Sequence, residues 1–395
     1  MQPGGNFSSQ GCMMGSIGTA SKGPGLSLDR GGPGPYNFPM KTGGISDMEQ
    51  NRRVLVAMSG GVDSSAAVCL LKEQGYACVG VTMKLLGGPP GGEEDAREAA
   101  RRMGIPHYVL DCAEQFRREV VQPFADAYER GETPNPCVFC NRALKFGLLL
   151  DKAEELGCAY LATGHYARIT DGGGGWRLRK AADLSRDQSY VLYPIPRQRL
   201  GRVLFPLGGL SKDQVREIAA RAGFPNARKQ DSQDICFIPD GDYLSFLERY
   251  TGKTYPAGDI VDMDGKVVGR HRGAAGLTLG QRRGVGVSSS GRIYVCAKCM
   301  VTNTVTVGPE EALYSRGCAA RDWNWLITAP TAPFEALAKT RYRQREQPVT
   351  VCPEDGGVRL EFSQPQRAVT PGQSAVVYDR DGAVLGGGVI VSTWG

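Results

Sequence analysis

The sequence has no apolar run approaching the roughly 18 consecutive residues of a membrane-spanning helix, and its amino terminus lacks the basic-then-apolar layout of a secretory signal. These absences predict a cytoplasmic protein with no membrane partner. The twelve cysteines in 395 residues are too sparse for a disulfide scaffold, and a reducing cytosol would keep most of them as thiols. Histidine is scarcer, at three, and nothing around His107 or His271 suggests chemistry. The glycine-rich loop at 59–65 lacks the Gly-Lys-Ser/Thr ending of a P-loop, which disfavours a kinase or GTPase mechanism. What remains, 41% hydrophobic and 22% charged residues, is ordinary for a globular chain of two or three domains.

Charge is unevenly spread. Residues 51–167 carry 13 Lys/Arg against 15 Asp/Glu, residues 168–230 carry 13 against 5, and residues 251–308 carry 8 against 3. A segregated positive excess is a plausible footprint for a polyanion, because each neutralised phosphate releases counterions. A merely solvated surface is the alternative. Residues 1–50 are rich in Gly, Pro and Ser, and their charges cancel at three against three. They read as a disordered tail or a misplaced start codon, with Met48 directly before the first strand-like run.

From Arg52 the pattern is strand, turn, helix. Strands are expected at 54–58, 78–83, 107–110 and 160–163, alternating with helices up to Gly75 and at 93–103, 113–130 and 141–156. This alternation predicts an α/β fold with a doubly wound, Rossmann-like parallel sheet. After about 205 short helices follow at 213–222 and 242–250, and beyond 255 apolar stretches at 301–307, 341–344, 358–362 and 375–378 predict a small all-β carboxy-terminal domain. The expected divisions are a tail at 1–50, a nucleotide domain at 51–205, a central linker domain at 206–308 and a β-barrel at 309–395.

Ser59-Gly60-Gly61-Val62-Asp63-Ser64-Ser65 stands where the first strand hands over to the first helix. There, backbone N–H groups and the helix dipole converge on an anion. The loop resembles the pyrophosphatase loop of enzymes that split ATP between its α- and β-phosphates. A plain tight turn capped by Asp63 or Ser64 is the bland reading. Met83, at the end of the second strand, lies where a nucleotide base would bind, although it could equally fill core.

Cysteine divides into two kinds. Cys69 and Cys78 lie in apolar runs and read as small buried hydrophobes. Cys137 and Cys140 lie in Asn135-Pro136-Cys137-Val138-Phe139-Cys140-Asn141, against a helix start, where a thiol tends to have a lowered pKa. Cys236 stands alone in the charged loop 229–238.

The Ser-Gly-Gly-Val-Asp-Ser loop, Asn-Pro-Cys-x-x-Cys-Asn, Ala-Thr-Gly-His-Tyr at 162–166, Asp-Gln-Ser-Tyr at 187–190, Asp-Ile-Cys-Phe-Ile at 234–238 and Thr-Leu-Gly-Gln-Arg-Arg-Gly at 278–284 together closely resemble the tRNA-specific 2-thiouridylase family. The resemblance covers most of residues 52–395 and implies an adenylation domain, a small central domain and a β-barrel that grips tRNA. It implies ATP, with Mg2+, held by Ala57, Met58, Ser59, Gly60, Gly61, Val62, Asp63, Ser64, Met83 and Gly164. Asn135, Pro136 and Cys137 would border a flipped-out base, and His165, Arg186, Asp187, Gln188, Arg341, Tyr342 and Gln373 would meet the tRNA. Cys236 would receive sulfur as a persulfide from a cysteine desulfurase or sulfur-carrier protein. Cys140 would attack or resolve it, ending in a Cys140–Cys236 disulfide that a thiol reduces.

In one respect the chain departs from the family. Many members carry aspartate, the usual candidate for proton transfer, where this chain has Cys137. An iron–sulfur cluster on Cys137, Cys140 and Cys236 is a variant of the sulfur-delivery step. Two rivals remain at this stage: an amidotransferase-type synthetase using the same loop on a small substrate, without paired reactive cysteines, and an RNA-binding protein with a zinc site at Cys137, Cys140, Cys296 and Cys299.

Overall fold

The computed structural model describes residues 52–86, 91–224, 235–288 and 291–395. The expected tail at 1–50 and most of the loop before Ile235 lie outside them. Strands β1 (Arg53–Ala57), β2 (Ala77–Lys84), β3 (His107–Asp111), β4 (Tyr160–Ala162) and β7 (Val203–Leu204) form a sheet in the order β3-β2-β1-β4-β7. Every pairing in it is parallel. The order reverses at β1, so a crevice opens between the carboxyl ends of β1 and β4, the usual ligand site of such sheets.

Helices cover both faces. On one lie α1 (Val62–Glu73), α2 (Gly92–Met103) and α5 (Lys212–Arg221), which bury Ala66, Ala67, Ala96, Ala99 and Ala219 with Val54 and Val56. Alanine at these positions lets helix and sheet approach closely at little entropic cost. On the other face α4, the helix from Pro136 to Glu155, contributes Phe146, Leu149, Leu150 and Ala153 against Leu55, Val79 and Leu161. Helix α5 packs with α1, so the chain stays with the first sheet well past residue 205.

Two long helices differ from expectation. The one predicted at 113–130, α3, is wound as Ala113–Phe116, a π-helical Arg117–Val121 and Gln122–Glu129. The one predicted from Asn141, α4, starts earlier, as Pro136–Cys140, then runs as a π-helix over Asn141–Leu148 and ends as Leu149–Glu155. Asn135 caps it, its Oδ1 accepting from the Cys137 N–H at 3.1 Å, and Pro136 sits at the first turn, where its missing N–H costs nothing. A hairpin of β5 (Ala167–Asp171) and β6 (Trp176–Lys180) adds to the expected elements; each strand is only five residues long and polar or charged at half or more of its positions, which hides the alternation.

After α6 (Tyr243–Thr251) come β8 (Gly258–Val261), β9 (Val267–His271), β10 (Tyr294–Cys299) and β11 (Thr304–Gly308), in a four-stranded sheet ordered β10-β11-β8-β9. The barrel closes as β12-β15-β14-β13-β16-β17. Its strands are β12 (Tyr314–Trp325), β13 (Phe334–Lys339), β14 (Gln347–Glu354), β15 (Gly357–Arg367), β16 (Ser374–Tyr378) and β17 (Val384–Trp394). The strand expected at 341–344 is instead the turn between β13 and β14. Gln344 closes it: its Oε1 accepts from the Thr340 N–H and hydroxyl, both at 2.8 Å, and its own N–H donates to Arg341 O at 3.2 Å. One end of the barrel enters the first domain's core, where Tyr378, Val376 and Val384 are buried with Tyr190 and Tyr193.

Candidate functional site

Gly60 makes the nucleotide loop possible. Its φ of +74° is left-handed, and a Cβ there would collide with the Gly92 carbonyl and lie 2.8 Å from Asp95 Cβ. Inside the loop the Ser64 hydroxyl accepts from the Ser59 N–H at 3.3 Å and donates to Gly61 O at 3.0 Å, and Ser65 donates to the same oxygen at 3.2 Å. Gly164, on the loop after β4, faces it across the crevice: a Cβ there would be 2.9 Å from both Asp63 C and Ser64 N. Ala57, Met58 and Val62 support the loop from below, with Met58 only 2% exposed. Met83 is half-buried between two core clusters at the carboxyl end of β2.

Two partners of this loop escaped the sequence reading. Lys212 sends its ammonium to both oxygens of Asp63, at 2.8 and 2.9 Å, and the Tyr166 hydroxyl donates to Asp63 Oδ1 at 2.9 Å. Lys212 counted toward the positive excess of 168–230, yet it is 5% exposed and serves the nucleotide loop. Other cations of that segment are also committed to acids outside it: Lys180 to Glu346 at 2.7 Å, Arg199 to Asp151 at 2.8 Å, and Arg202 to Glu154. Counting charges along the chain therefore overstates the field this segment presents.

The cysteines meet over an aromatic cluster. Phe237 packs edge-on against Phe116 and Phe124, with ring centroids 5.6 and 5.3 Å apart, and fixes Cys236 beside it. Cys140 borders the same cluster from α4. Asn141 ties that helix to the first domain by donating to Val191 O at 2.7 Å. Cys137 and Cys236 are exposed, Cys140 is half-buried, and all three are free thiols. The thiols of Cys140 and Cys236 are pushed up, not down: crowding around the sulfur comes first for both, at Cys236 even though the residue as a whole is exposed, and for Cys236, at about 11, the neighbouring sulfurs of Cys140 and Cys137 add to it. The expected lowering at a helix N-terminus fails because Cys140 lies a full turn inside α4, where desolvation outweighs the dipole.

Lys145, on the same helix, opposes both shifts. Its ammonium is 3.3 Å from Nε2 of His165, whose Nδ1 is 2.7 Å from the Thr163 hydroxyl. Burial, then the Lys145 charge, holds the His165 imidazole well below its ordinary range, so the ring is neutral.

Among the described residues no three His, Cys, Asp or Glu side chains converge as a metal-holding group. Neither the trio Cys137, Cys140 and Cys236 nor the set Cys137, Cys140, Cys296 and Cys299 is among such groups. Cys296 and Cys299 lie on β10 of the central sheet, where the Cys296 thiol donates to Tyr294 O at 3.3 Å.

The residues expected to meet tRNA divide into two groups. Tyr342 is 37% exposed, packs edge-on against Tyr190 and lies within electrostatic reach of Cys137, Asp187 and Arg186. Asp187, Gln188, Arg341 and Gln373 make contacts within the protein. Asp187 accepts from the Ala181 and Ser189 N–H groups at 3.0 and 3.2 Å, and Gln188 accepts from the Tyr166 N–H at 2.8 Å. The Arg341 guanidinium donates to Ala368 O, Leu279 O and the Thr370 hydroxyl at 2.9, 3.0 and 2.6 Å, binding barrel to central domain. Gln373 donates to Thr133 O at 2.6 Å while the Thr133 N–H donates to Pro371 O at 2.9 Å, so the barrel grips the cysteine loop directly.

Comparison with known proteins gives this arrangement a class. Residues 52–240 match the tRNA methyl transferase HUP domain, 244–309 the tRNA methyl transferase PRC-barrel domain and 315–390 the aminomethyltransferase beta-barrel domain. The first domain is thus that of an ATP-using enzyme of the HUP class. The chain is 47% identical to the tRNA-specific 2-thiouridylase MnmA of Syntrophotalea carbinolica over 87% of its own length and 99% of that protein's. It is 45% identical to that of Geobacter metallireducens over 86% and 96%, and 47% identical to MnmA 1 of Syntrophus aciditrophicus over 89% and 95%. The chain belongs to the tRNA-specific 2-thiouridylase family.

Proposed function

We propose that this sulfurtransferase forms 2-thiouridine at the wobble position of tRNA in two steps: ATP-dependent adenylation of the uridine 2-oxygen, then sulfur transfer from a Cys236 persulfide. The C2 carbonyl is a poor electrophile. Its oxygen attacks the α-phosphate of ATP, pyrophosphate departs, and C2 then carries AMP as a good leaving group. Ser59 to Ser64 and Gly164 line the crevice for the phosphates, with Ala57, Met58 and Met83 toward the base. Mg2+ bound with the nucleotide would supply charge neutralisation at the phosphates, and Asp63, whose carboxylate accepts from Lys212 and Tyr166, would be the loop's acidic side chain beside it.

A cysteine desulfurase or sulfur-carrier protein loads Cys236 in the cytoplasm. The Cys140 thiolate then attacks Cys236 Sγ and releases hydrosulfide, which displaces AMP from C2. The two cysteines end as a disulfide, having supplied the two electrons that reduce the sulfane sulfur, and a cellular thiol restores them. Asn135, Pro136, Cys137 and His165 border the base, while Arg186 and Tyr342 face the tRNA.

One observation carries this reading: Cys140 and Cys236, 96 positions apart in sequence, are free thiols, with Cys140 close enough to act on the ionisation of Cys236. An amidotransferase-type synthetase has no use for such a pair. Mass spectrometry of nucleosides from tRNA incubated with the protein, ATP and a persulfide donor tests it. Appearance of 2-thiouridine only when ATP is present is expected. ATP turnover on a small amine acceptor, with unmodified tRNA, would replace the reading by the synthetase.

A further inference from the structure

Sulfur transfer needs a thiolate, and this site works against one. Burial around the sulfur raises both Cys140 and Cys236, and neighbouring sulfurs add to it, Cys137 at Cys140 and both Cys140 and Cys137 at Cys236. Lys145 is the one side chain among the described residues whose charge favours the anion at both.

The backbone explains how it gets there. Lys145 follows Cys140 by five residues, which in an α-helix would turn it about 140° away. Here the intervening residues belong to the π-helical Asn141–Leu148, whose wider turns bring the fifth residue back above the first. Such a segment exchanges i→i+4 for i→i+5 hydrogen bonds and is frequent at functional sites.

The far end of the side chain is also fixed. The ammonium donates to His165 Nε2 at 3.3 Å, which leaves the proton of the neutral ring on Nδ1, toward the Thr163 hydroxyl at 2.7 Å. Phe146 and Phe205 enclose the ring, each with centroids 6.0 Å away. A neutral, buried, singly oriented imidazole is a fixed acceptor that aims the lysine without competing for its charge. His165 directly follows Gly164, which touches the nucleotide loop, so the same short segment serves both half-sites.

We propose that Lys145 supplies the positive charge for sulfur transfer, its ammonium aimed by His165 and holding Cys140 as the thiolate that attacks the Cys236 persulfide. The inference rests on the two-cysteine reading above. In the step, Cys140 Sγ forms a bond to Cys236 Sγ, and the bond from Cys236 Sγ to the terminal sulfur breaks with its electron pair. Hydrosulfide carries off the single negative charge. Lys145 keeps its proton throughout, and its charge stays beside the anion as that anion moves. The groups facing it are His165 from the loop after β4, Cys140 on its own helix and Cys236 on the loop before Phe237, with Cys137 and Cys112 as further sulfurs next to these. No carboxylate at position 137 is required, which accounts for a cysteine being tolerated there.

The test uses the full chain as wild type, Lys145→Gln and Lys145→Arg. Iodoacetamide labelling of Cys140 and Cys236 is followed against pH by peptide mass mapping, and single-turnover thiolation is measured from a preformed Cys236 persulfide. In Lys145→Gln the Cys140 labelling profile moves up by about one pH unit, and thiolation near neutral pH falls about tenfold and recovers as pH rises. Lys145→Arg restores most of the rate. An unmoved labelling profile in folded Lys145→Gln overturns the inference, as does pyrophosphate release falling in parallel with thiolation at every pH. A wild-type persulfide form that leaves tRNA unmodified would instead sink the two-cysteine reading, while the labelling profile would still judge Lys145.

Discussion

At the nucleotide loop almost every determinant is backbone: the left-handed Gly60, Gly164 pressed against Asp63 and Ser64, and hydroxyls folded back onto Gly61 O. At the sulfur site the determinants are side chains from separate segments: Cys140 and Lys145 on α4, Cys236 on a loop held by Phe237, and His165 after β4. A backbone site comes ready-made with a strand–turn–helix unit and tolerates little change. A side-chain site is assembled by tertiary packing, so each member can be removed singly. The two half-reactions should therefore separate under mutation, and among the described residues the segment 163–166 touches both sites.

The largest separation is expected from Cys236→Ser and Cys140→Ser. Each should abolish 2-thiouridine while tRNA-dependent pyrophosphate release continues, because the nucleotide loop shares no atom with either thiol. Nucleoside mass spectrometry and a pyrophosphate assay on the same samples would decide. Thiolation at wild-type rate in either variant would merge the two sites again.

The converse break is Lys212→Met. It strips both ammonium contacts from Asp63, whose side chain is 29% exposed, and leaves a carboxylate facing the triphosphate. Loss of a charged hydrogen-bond partner costs about 1–3 kcal/mol, below the figure for fully buried pairs because solvent reaches Asp63. Pyrophosphate release should fall at least in proportion, by about tenfold per 1.4 kcal/mol, whereas persulfide formation on Cys236 should persist. Calorimetry and the pyrophosphate assay would measure the two effects independently.

This difference in construction also explains what the sequence could reveal. The parallel sheet and the nucleotide loop were legible because each depends on local pattern: a short apolar run, two glycines and a helix start. Cys140 and Cys236 were singled out by their polar, Pro-bearing surroundings, and the family resemblance paired them. Lys145 and Lys212 were invisible, since lysine on a helix reads as solvated surface, and only packing shows one beside two thiols and the other under Asp63. The π-helical register was hidden for the same reason, as Asn141 to Leu148 has a pattern an α-helix would accept. Arg341 and Gln373 show the opposite ambiguity: residue types suited to nucleic acid here donate to Ala368, Leu279 and Thr133.

Gln373→Ala sharpens the last point. If the amide serves mainly to hold the cysteine loop, its removal costs about 1 kcal/mol of anchoring, equivalent to about fivefold in the ordered fraction of that loop. Thiolation should drop by a similar factor while tRNA affinity, measured by filter binding, stays near wild type. Affinity falling with thiolation intact would return Gln373 to the tRNA surface.

The smallest effect concerns the segment where the two sites meet. His165 is neutral in the folded protein because burial and Lys145 hold it well below its ordinary range, whereas in the unfolded chain it protonates near pH 6.5. As pH falls through that value the unfolded state takes up a proton that the folded state refuses, so stability is full above about 6.5 and is lost below it. One such group contributes a slope of at most about 1.4 kcal/mol per pH unit. His107, half-buried and lowered first by burial and then by Arg97, adds a weaker slope of the same sign. Chemical denaturation of wild type and His165→Gln between pH 7.5 and pH 5 would separate the two, since the variant should keep only the His107 part. Equal slopes in both proteins would mean that His165 takes up its proton without unfolding, and that Lys145 moves away from the ring to let it.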